Sequence, residues 1–241
     1  MATNRIPENH WLRTKPIAHR GYWGGDVPEN SRAAYERAAE KGYPIEIDVY
    51  LTKDEKIVSF HDGTLKRMTG GEGGVWDYTY EELQQFRLGN SQETIPLLSE
   101  VLAIAERRSP LLIEIKEQKN ENIVAKLLEA LEGYAGEYAV QSFMPQYIHE
   151  VKRRAPAVIR GILASDSGAS NPFKNFIMRN MSLNFWIKPD FVSYVYTGYP
   201  LPQRKVKNKV KLAWTVTSRE IWQKISPFVD NIIFEHFDIT E

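Results

Sequence analysis

Short apolar runs recur along the chain and lack the strict polar alternation of a half-exposed strand. They occupy residues 16–18, 44–49, 111–115, 138–141, 158–163, 191–195, 210–216 and 231–234, and are rich in Ile, Val, Leu and aromatic residues. Runs of this length and composition fit parallel strands buried on both faces. Between them the apolar spacing turns helical. Asn30 or Ser31 can cap a helix over 32–41 that stops at Gly42, and Ser99 can open one over 100–108 that Pro110 ends. Further helices are expected over 122–131, 146–154, 173–184 and, ahead of Pro227, 218–225. The stretch 199–207 carries little helical signal.

Eight β segments interleaved with helices predict an α/β fold with a parallel sheet, and the count favours a closed (β/α)8 barrel over an open doubly wound sheet. One connection breaks the rhythm. About forty residues separate Ser59 from Ser99, glycine-rich at 70–74 and with a short helix expected near 80–86. A connection that long is more often functional than decorative. The expectation is a single domain over 1–241 with an insertion at about 60–98, after the second strand.

Composition refines this picture only slightly. With 241 residues, 42% of them apolar, the chain is long enough to bury one sizeable core. Its 31 basic and 31 acidic residues cancel, so bulk charge points neither to nucleic acid nor to an anionic membrane. The absence of cysteine excludes disulfides, thiolate catalysis, iron–sulfur clusters and cysteine-ligated zinc. Residues 1–15 lack the apolar core of a secretory signal, and no run reaches the ~18 apolar residues of a spanning helix. A soluble cytoplasmic protein without stable membrane insertion is therefore expected.

No GxGxxG or P-loop signature follows any strand. In a parallel barrel the chemistry sits at the C-terminal ends of the strands. The first run delivers His19, Arg20 and Gly21 there; the second carries Glu46 and Asp48, and the third Glu114 and Lys116. Each of the latter pairs is spaced by two, so its members share one face of a strand. His61 and Asp62 follow the second strand in the long connection. Three carboxylates on neighbouring strands repel one another and lose hydration, which raises their pKa values or favours a bound cation. All-oxygen ligation by Glu46, Asp48 and Glu114 suits Mg²⁺ or Ca²⁺. The other reading pairs these acids with Arg20 and Lys116 in a structural network.

The five histidines are His10, His19, His61, His149 and His236. A lone histidine is usually structural, but His19 and His61 both follow strand ends, and two imidazoles could supply one base and one acid. Arg20 can grip a phosphate through paired hydrogen bonds, or simply bridge to an acid. Gly21 suits a turn that a side chain would obstruct. The sequence Pro28-Glu29-Asn30-Ser31 reads as a helix start, and capping suffices for Asn30 or Ser31. Capping does not account for Glu29. The glycines at 70–74 are too unspecific for a phosphate cradle.

Taken in order, Ala18-His19-Arg20-Gly21, Pro28-Glu29-Asn30-Ser31, Glu46-Ile47-Asp48-Val49 with Thr52 and Asp54, His61-Asp62 with Arg67 and Thr69, and Glu114-Ile115-Lys116 resemble the glycerophosphodiester phosphodiesterases. The resemblance implies a TIM barrel whose insertion after the second strand carries the second histidine. It implies that Glu46, Asp48 and Glu114 bind one divalent cation, Mg²⁺ or Ca²⁺. His19 and His61 become the acid–base pair, with Arg20 and Lys116 near the phosphate. Gln141-Ser142-Phe143 and Trp214-Thr215-Val216 resemble later strand ends of the family, where Gln141 and Trp214 could bind substrate. Thr217 stands where the family usually has asparagine, and the last strand departs from its Gly-Ile-Ile-Thr-Asp pattern. The implied activity is metal-dependent hydrolysis of a small-molecule glycerophosphodiester to an alcohol and glycerol 3-phosphate, within lipid and glycerol metabolism. The alternatives are a related barrel acting on a lysophospholipid or sugar phosphodiester, or a non-catalytic barrel that binds phosphate esters. The complete set of histidines and carboxylates argues against the last.

Overall fold

A computed structural model of the chain describes residues 5–165 and 181–239. Each of the eight apolar runs forms a strand, and a ninth, short strand follows the second run. In chain order these are β1 (Ile17–Ala18), β2 (Ile45–Leu51), β3 (Ile57–Ser59), β4 (Leu111–Ile115), β5 (Tyr138–Ser142), β6 (Arg160–Ala164), β7 (Phe191–Val195), β8 (Val210–Val216) and β9 (Asn231–Phe234). The fold class is the TIM (β/α)8 barrel, with β3 as a strand beyond the eight. The chain divides into two compact units, Ala18–Tyr138 and Met1–Ile17 with Ala139–Glu241.

In the unit Ala18–Tyr138, β2 is central. It pairs in parallel with β1 at Ala18↔Ile45 and with β4 from Ile45↔Leu111 to Val49↔Ile115, while β3 runs antiparallel along its far end. All seven residues of β2 and all five of β4 are buried, as expected of strands covered on both faces. β3 is absent from the sequence reading. It is only three residues long, and it follows a tight turn in which the Lys56 N–H donates to Thr52 Oγ1 and Glu55 takes φ 56°. Its brevity hid it inside the connection.

The helix Arg32–Glu40 follows the expected bounds, with the Ser31 hydroxyl accepting the Ala34 N–H and Gly42 beyond its end at φ 72°. Ser99, however, is not a cap. The next helix is Leu98–Ala105, and the Glu100 carboxylate reaches back to the Leu97 N–H at 2.8 Å, which moves the start upstream. The insertion is folded rather than loose. Leu65, Val75, Leu83, Leu88 and Ile95 pack on Tyr50, Val58 and Phe60 to form a small core of its own. A capping box joins Thr79 and Glu82 at the start of the helix Tyr80–Leu83.

In the other unit, β5 to β9 form one parallel ladder in chain order. Its register is irregular between Ala213 and Val216, so Trp214 and Thr215 lie where β8 and β9 fall out of step. Helices Pro145–Arg154 and Arg219–Ile225 stand close to the expected positions, and a short one, Gln203–Val206, falls in the weakly helical stretch. The helix expected over 173–184 lies outside the described residues apart from its last positions, where a short helix Asn184–Ile187 begins. The N-terminal segment is tied to β9, because the Asn231 amide donates to the carbonyls of Trp11, Leu12 and Lys15.

Gly21 shows why β1 and the first long helix come so close. It holds φ 81°, and a Cβ there would meet Ala34 backbone atoms at 2.8 Å. A Gly21→Ala protein is expected to lose about 1–3 kcal/mol, from overpacking and an unfavourable φ. Thermal unfolding checks this; an unchanged midpoint would show that the helix moves aside at no cost.

Candidate active site

The register of β2 and β4 decides the arrangement. Asp48 stands directly beside Glu114, and Glu46 lies two residues back on the same face. Carboxylate oxygens of all three fall within 4.8 Å of one another, and all three residues are buried. Continuing the β1–β2 register past Ala18↔Ile45 brings His19 level with Glu46. Arg20 follows at φ 58° and donates its backbone N–H to Glu46 Oε2 at 3.0 Å.

Two basic side chains enter the cluster. Lys116 places its Nζ 2.8 Å from Glu114 Oε1 and 3.2 Å from Asp48 Oδ1. Arg20 Nη1 donates to Glu29 Oε1 at 2.8 Å, and its Nε stands 3.7 Å from Asp48 Oδ2. The salt-bridge network envisaged as an alternative is therefore present.

Burial pushes the Glu46 carboxyl well above its ordinary pKa, and the negative Asp48 and Glu114 push it further. Burial also raises Glu114, although Lys116 opposes this. Asp48 behaves oppositely. Burial acts to raise it too, but Lys116, His61, Arg20 and the Asn30 amide outweigh burial and hold it ionised to low pH. Asp48 Oδ1 is buried, and it meets the Lys116 ammonium at 3.2 Å without a well-directed hydrogen bond. A buried carboxylate oxygen so left, beside two further acids, fits the donor set of a hard divalent cation. These residues could hold one.

Behind Asp48 lies a chain of polar contacts through Asn30, for which helix capping is a sufficient explanation in the sequence. The Asn30 amide donates to Asp48 Oδ2 at 2.8 Å. Its carbonyl accepts the Tyr35 hydroxyl at 2.8 Å, and the Ser59 oxygen lies near that carbonyl at 3.2 Å, the Tyr35 oxygen at 2.5 Å and the Asp48 backbone carbonyl at 3.1 Å, with a single proton to share among them. Asn30 takes φ 51° to do this, a left-handed conformation that asparagine tolerates better than most residues. Ser31 alone caps the helix. An asparagine one place ahead of a sufficient cap is the signal that could have found it.

His61 lies two residues past β3. Its Nδ1 is 2.6 Å from Asp62 Oδ1. Burial lowers its pKa, reinforced by Lys116 and Arg20 and opposed by the charge of Asp48 and the Asp62 hydrogen bond, and the net shift favours the neutral ring. The unit Ala18–Tyr138 thus brings together Arg20, Glu46, Asp48, His61, Glu114 and Lys116, with His19 on the strand end that carries Arg20. Gln141 and Trp214 belong to the other unit. Gln141 is buried in β5 and accepts the Ser193 hydroxyl at 2.8 Å. The Trp214 ring meets Phe143 edge-on with centroids 5.5 Å apart.

The model of the glycerophosphoryl diester phosphodiesterase family matches residues 19–238. The chain belongs to this family. A glycerophosphodiester phosphodiesterase of Caldanaerobacter subterraneus subsp. tengcongensis is 37% identical over 92% of this chain and 94% of its own. Among solved structures, an Oleispira antarctica phosphodiesterase in complex with the product sn-glycerol-3-phosphate superposes with TM-score 0.77 at 24% identity, covering 91% of this chain and 92% of that one. A glycerophosphodiester phosphodiesterase from Parabacteroides distasonis covers 91% of this chain and 93% of its own, with TM-score 0.74 and 25% identity. The chain is accordingly an enzyme of the phosphoric diester hydrolase class.

Losing the Asn30 amide would leave Asp48 Oδ2 buried with one contact fewer. Asn30→Ala is expected to cost about 1.5–3 kcal/mol of stability, the range for a hydrogen bond to a charged group. Urea unfolding measures it, and a wild-type midpoint would show that Asp48 does not rely on Asn30.

Proposed function

We propose that this enzyme hydrolyses glycerophosphodiesters to an alcohol and glycerol 3-phosphate, with His19 and His61 as acid–base pair and one divalent cation, Mg²⁺ or Ca²⁺, held by Glu46, Asp48 and Glu114. The observation that carries the reading is the buried three-carboxylate cluster within 4.8 Å, flanked by Arg20, Lys116 and His61, in a chain of this family. The sn-glycerol-3-phosphate in the Oleispira antarctica complex is the kind of product this reaction would release.

A cation bound there would supply positive charge to the phosphate oxygens and hold the glycerol hydroxyls. Arg20 and Lys116 add fixed positive charge beside the same three acids, so that with a cation bound the site would offset the charge of an entering phosphodiester. A neutral imidazole takes the proton of the attacking oxygen as that oxygen forms its bond to phosphorus. The second imidazole, protonated, gives its proton to the alkoxide as the other phosphorus–oxygen bond breaks. Gln141 and Trp214 are assigned to the outer part of the substrate on family resemblance alone.

Single His19→Ala and His61→Ala proteins, assayed on glycerophosphocholine with Mg²⁺ or Ca²⁺, are each expected to lose roughly 10²–10⁴-fold in turnover, the usual worth of positioned acid–base transfer. Near wild-type turnover in either would remove that histidine from the pair.

The cation assignment has its own test. Cation-free Glu46 retains a proton at pH values where an ordinary glutamate is ionised. Binding must displace that proton, so affinity is expected to rise with pH and binding to release protons. Calorimetry in buffers of different ionisation enthalpy reads this directly. Saturation at about 100 times Kd should stabilise the wild type by about 2.7 kcal/mol. The Glu46→Gln protein should gain much less. Equal stabilisation of both, or full activity in excess chelator, would sink the assignment.

A further inference from the structure

One side chain of the insertion joins two halves of the site, and the reaction above gives it no role. Arg67 lies on the short helix Lys66–Thr69, which follows the buried anchor Leu65 and ends at Gly70 with φ 72°. Its guanidinium makes two paired contacts at once. Nε donates to Asp62 Oδ2 at 2.6 Å and Nη2 to Asp62 Oδ1 at 3.0 Å. Toward the other side, Nη2 donates to Glu29 Oε1 at 2.5 Å and Nη1 to Glu29 Oε2 at 3.1 Å. Glu29 in turn accepts Arg20, and Asp62 contacts His61 Nδ1. The order is Arg20, Glu29, Arg67, Asp62, His61.

We propose that Arg67 is a positioning residue: gripping Asp62 and Glu29 together, it fixes the ring of His61 on one side and the guanidinium of Arg20 on the other. The inference rests on the acid–base reading of His61 given above. Three physical points support it.

First, an ionised carboxylate only accepts hydrogen bonds. Asp62 accepts two from Arg67, which help to hold it ionised against the effect of burial. Neutral His61 must then carry its proton on Nδ1 to satisfy the short contact, which leaves the Nε2 lone pair for proton transfer. Second, Glu29 is 5% exposed and would be a costly buried anion if only Arg20 served it. Arg67 supplies the second cation, so Arg20 need not be turned wholly toward Glu29. Third, Arg67 is itself about half exposed, with a side-chain exposure of 48%. An isolated surface ion pair of that exposure contributes little, but a paired fork within a network is the geometry in which such contacts matter.

The planar fork is essential to the argument, since lysine cannot make both paired contacts. Arg67→Met, loaded with Mg²⁺ and saturated with glycerophosphocholine, is expected to lose roughly 10–100-fold in kcat, as removal of a residue that orients a site's own residues commonly does. Arg67→Lys should recover only a small part of that. The decisive readouts are two. In a double-mutant cycle with Asp62→Asn, the part of the Arg67→Met loss that acts through His61 should vanish, because both changes release the same ring, and only the part that acts through Glu29 and Arg20 should remain. Long-range ¹⁵N–¹H correlations of the His61 ring should show the Nδ1–H tautomer in the wild type and a mixture of tautomers in Arg67→Met.

Wild-type kcat in Arg67→Met, or losses that add fully in the cycle, would overturn the inference. So would an unchanged tautomer. His61→Ala in the same assay separates the two readings. If it is inactive while Arg67→Met is unaffected, the proposed chemistry stands and the positioning role falls. If His61→Ala keeps its turnover, the acid–base reading itself fails, and the positioning role fails with it.

Discussion

Everything at the site follows from three carboxylates buried side by side on two parallel strands. The β2–β4 register sets Asp48 against Glu114, with Glu46 on the same face. Such an arrangement opposes folding, since each charge has lost its water and faces two like charges. The surrounding structure is organised to tolerate it. Lys116 and Arg20 contribute charge, Asn30 contributes a directed amide, and the Arg20 backbone N–H serves Glu46. The compensation is uneven: Asp48 is held as an anion while Glu46 is driven toward its protonated form. A buried cluster of this kind could hold an added cation.

The insertion supplies the remaining part of the problem, which is how a residue outside a strand is held accurately. His61 lies in the segment after β3, and a residue on an unsupported loop would not keep a fixed place beside Asp48. The insertion avoids this by folding around its own apolar cluster, with Phe60 and Leu65 buried on either side of His61. The additional strand β3 fixes the approach to His61 by pairing with β2 at Val49↔Ser59, next to Asp48. The histidine thus inherits its position from the strand that carries the acids.

Most of the fold was legible because parallel strands buried on both faces leave an unmistakable trace of short apolar runs. All eight expected strands formed, at nearly the expected positions. What escaped was local. β3 is too short to show a period, and the start of Leu98–Ala105 depended on a glutamate reaching back rather than on the obvious serine. At the site, the spacing by two in Glu46-Ile47-Asp48 and Glu114-Ile115-Lys116 gave the acids and the lysine directly. Asn30 was hidden by an adequate local explanation, since a helix start accounts for Asn30 and Ser31 without any reference to Asp48. Tyr35 and Ser59 carried no signal at all. Their role arises from tertiary contact with Asn30, and a tyrosine on a helix face and a serine at a strand end are each unremarkable alone.

Asn30 and Glu29 show how one short turn can serve two purposes. The Arg20 carbonyl accepts the Asn30 N–H at 3.0 Å, which locks the segment 28–31 against the end of β1. From that fixed backbone, Glu29 turns toward Arg20 and Arg67, Asn30 toward Asp48, and Ser31 toward the helix. Three consecutive polar side chains point to three different partners, and only the last is local in sequence. The left-handed φ of Asn30 makes the divergence possible, because an extended or helical residue there would send the amide elsewhere. A substitution in this turn therefore acts on the acids of β2, the guanidinium of Arg20 and the helix at once, although none of its residues contributes to the three-carboxylate cluster itself.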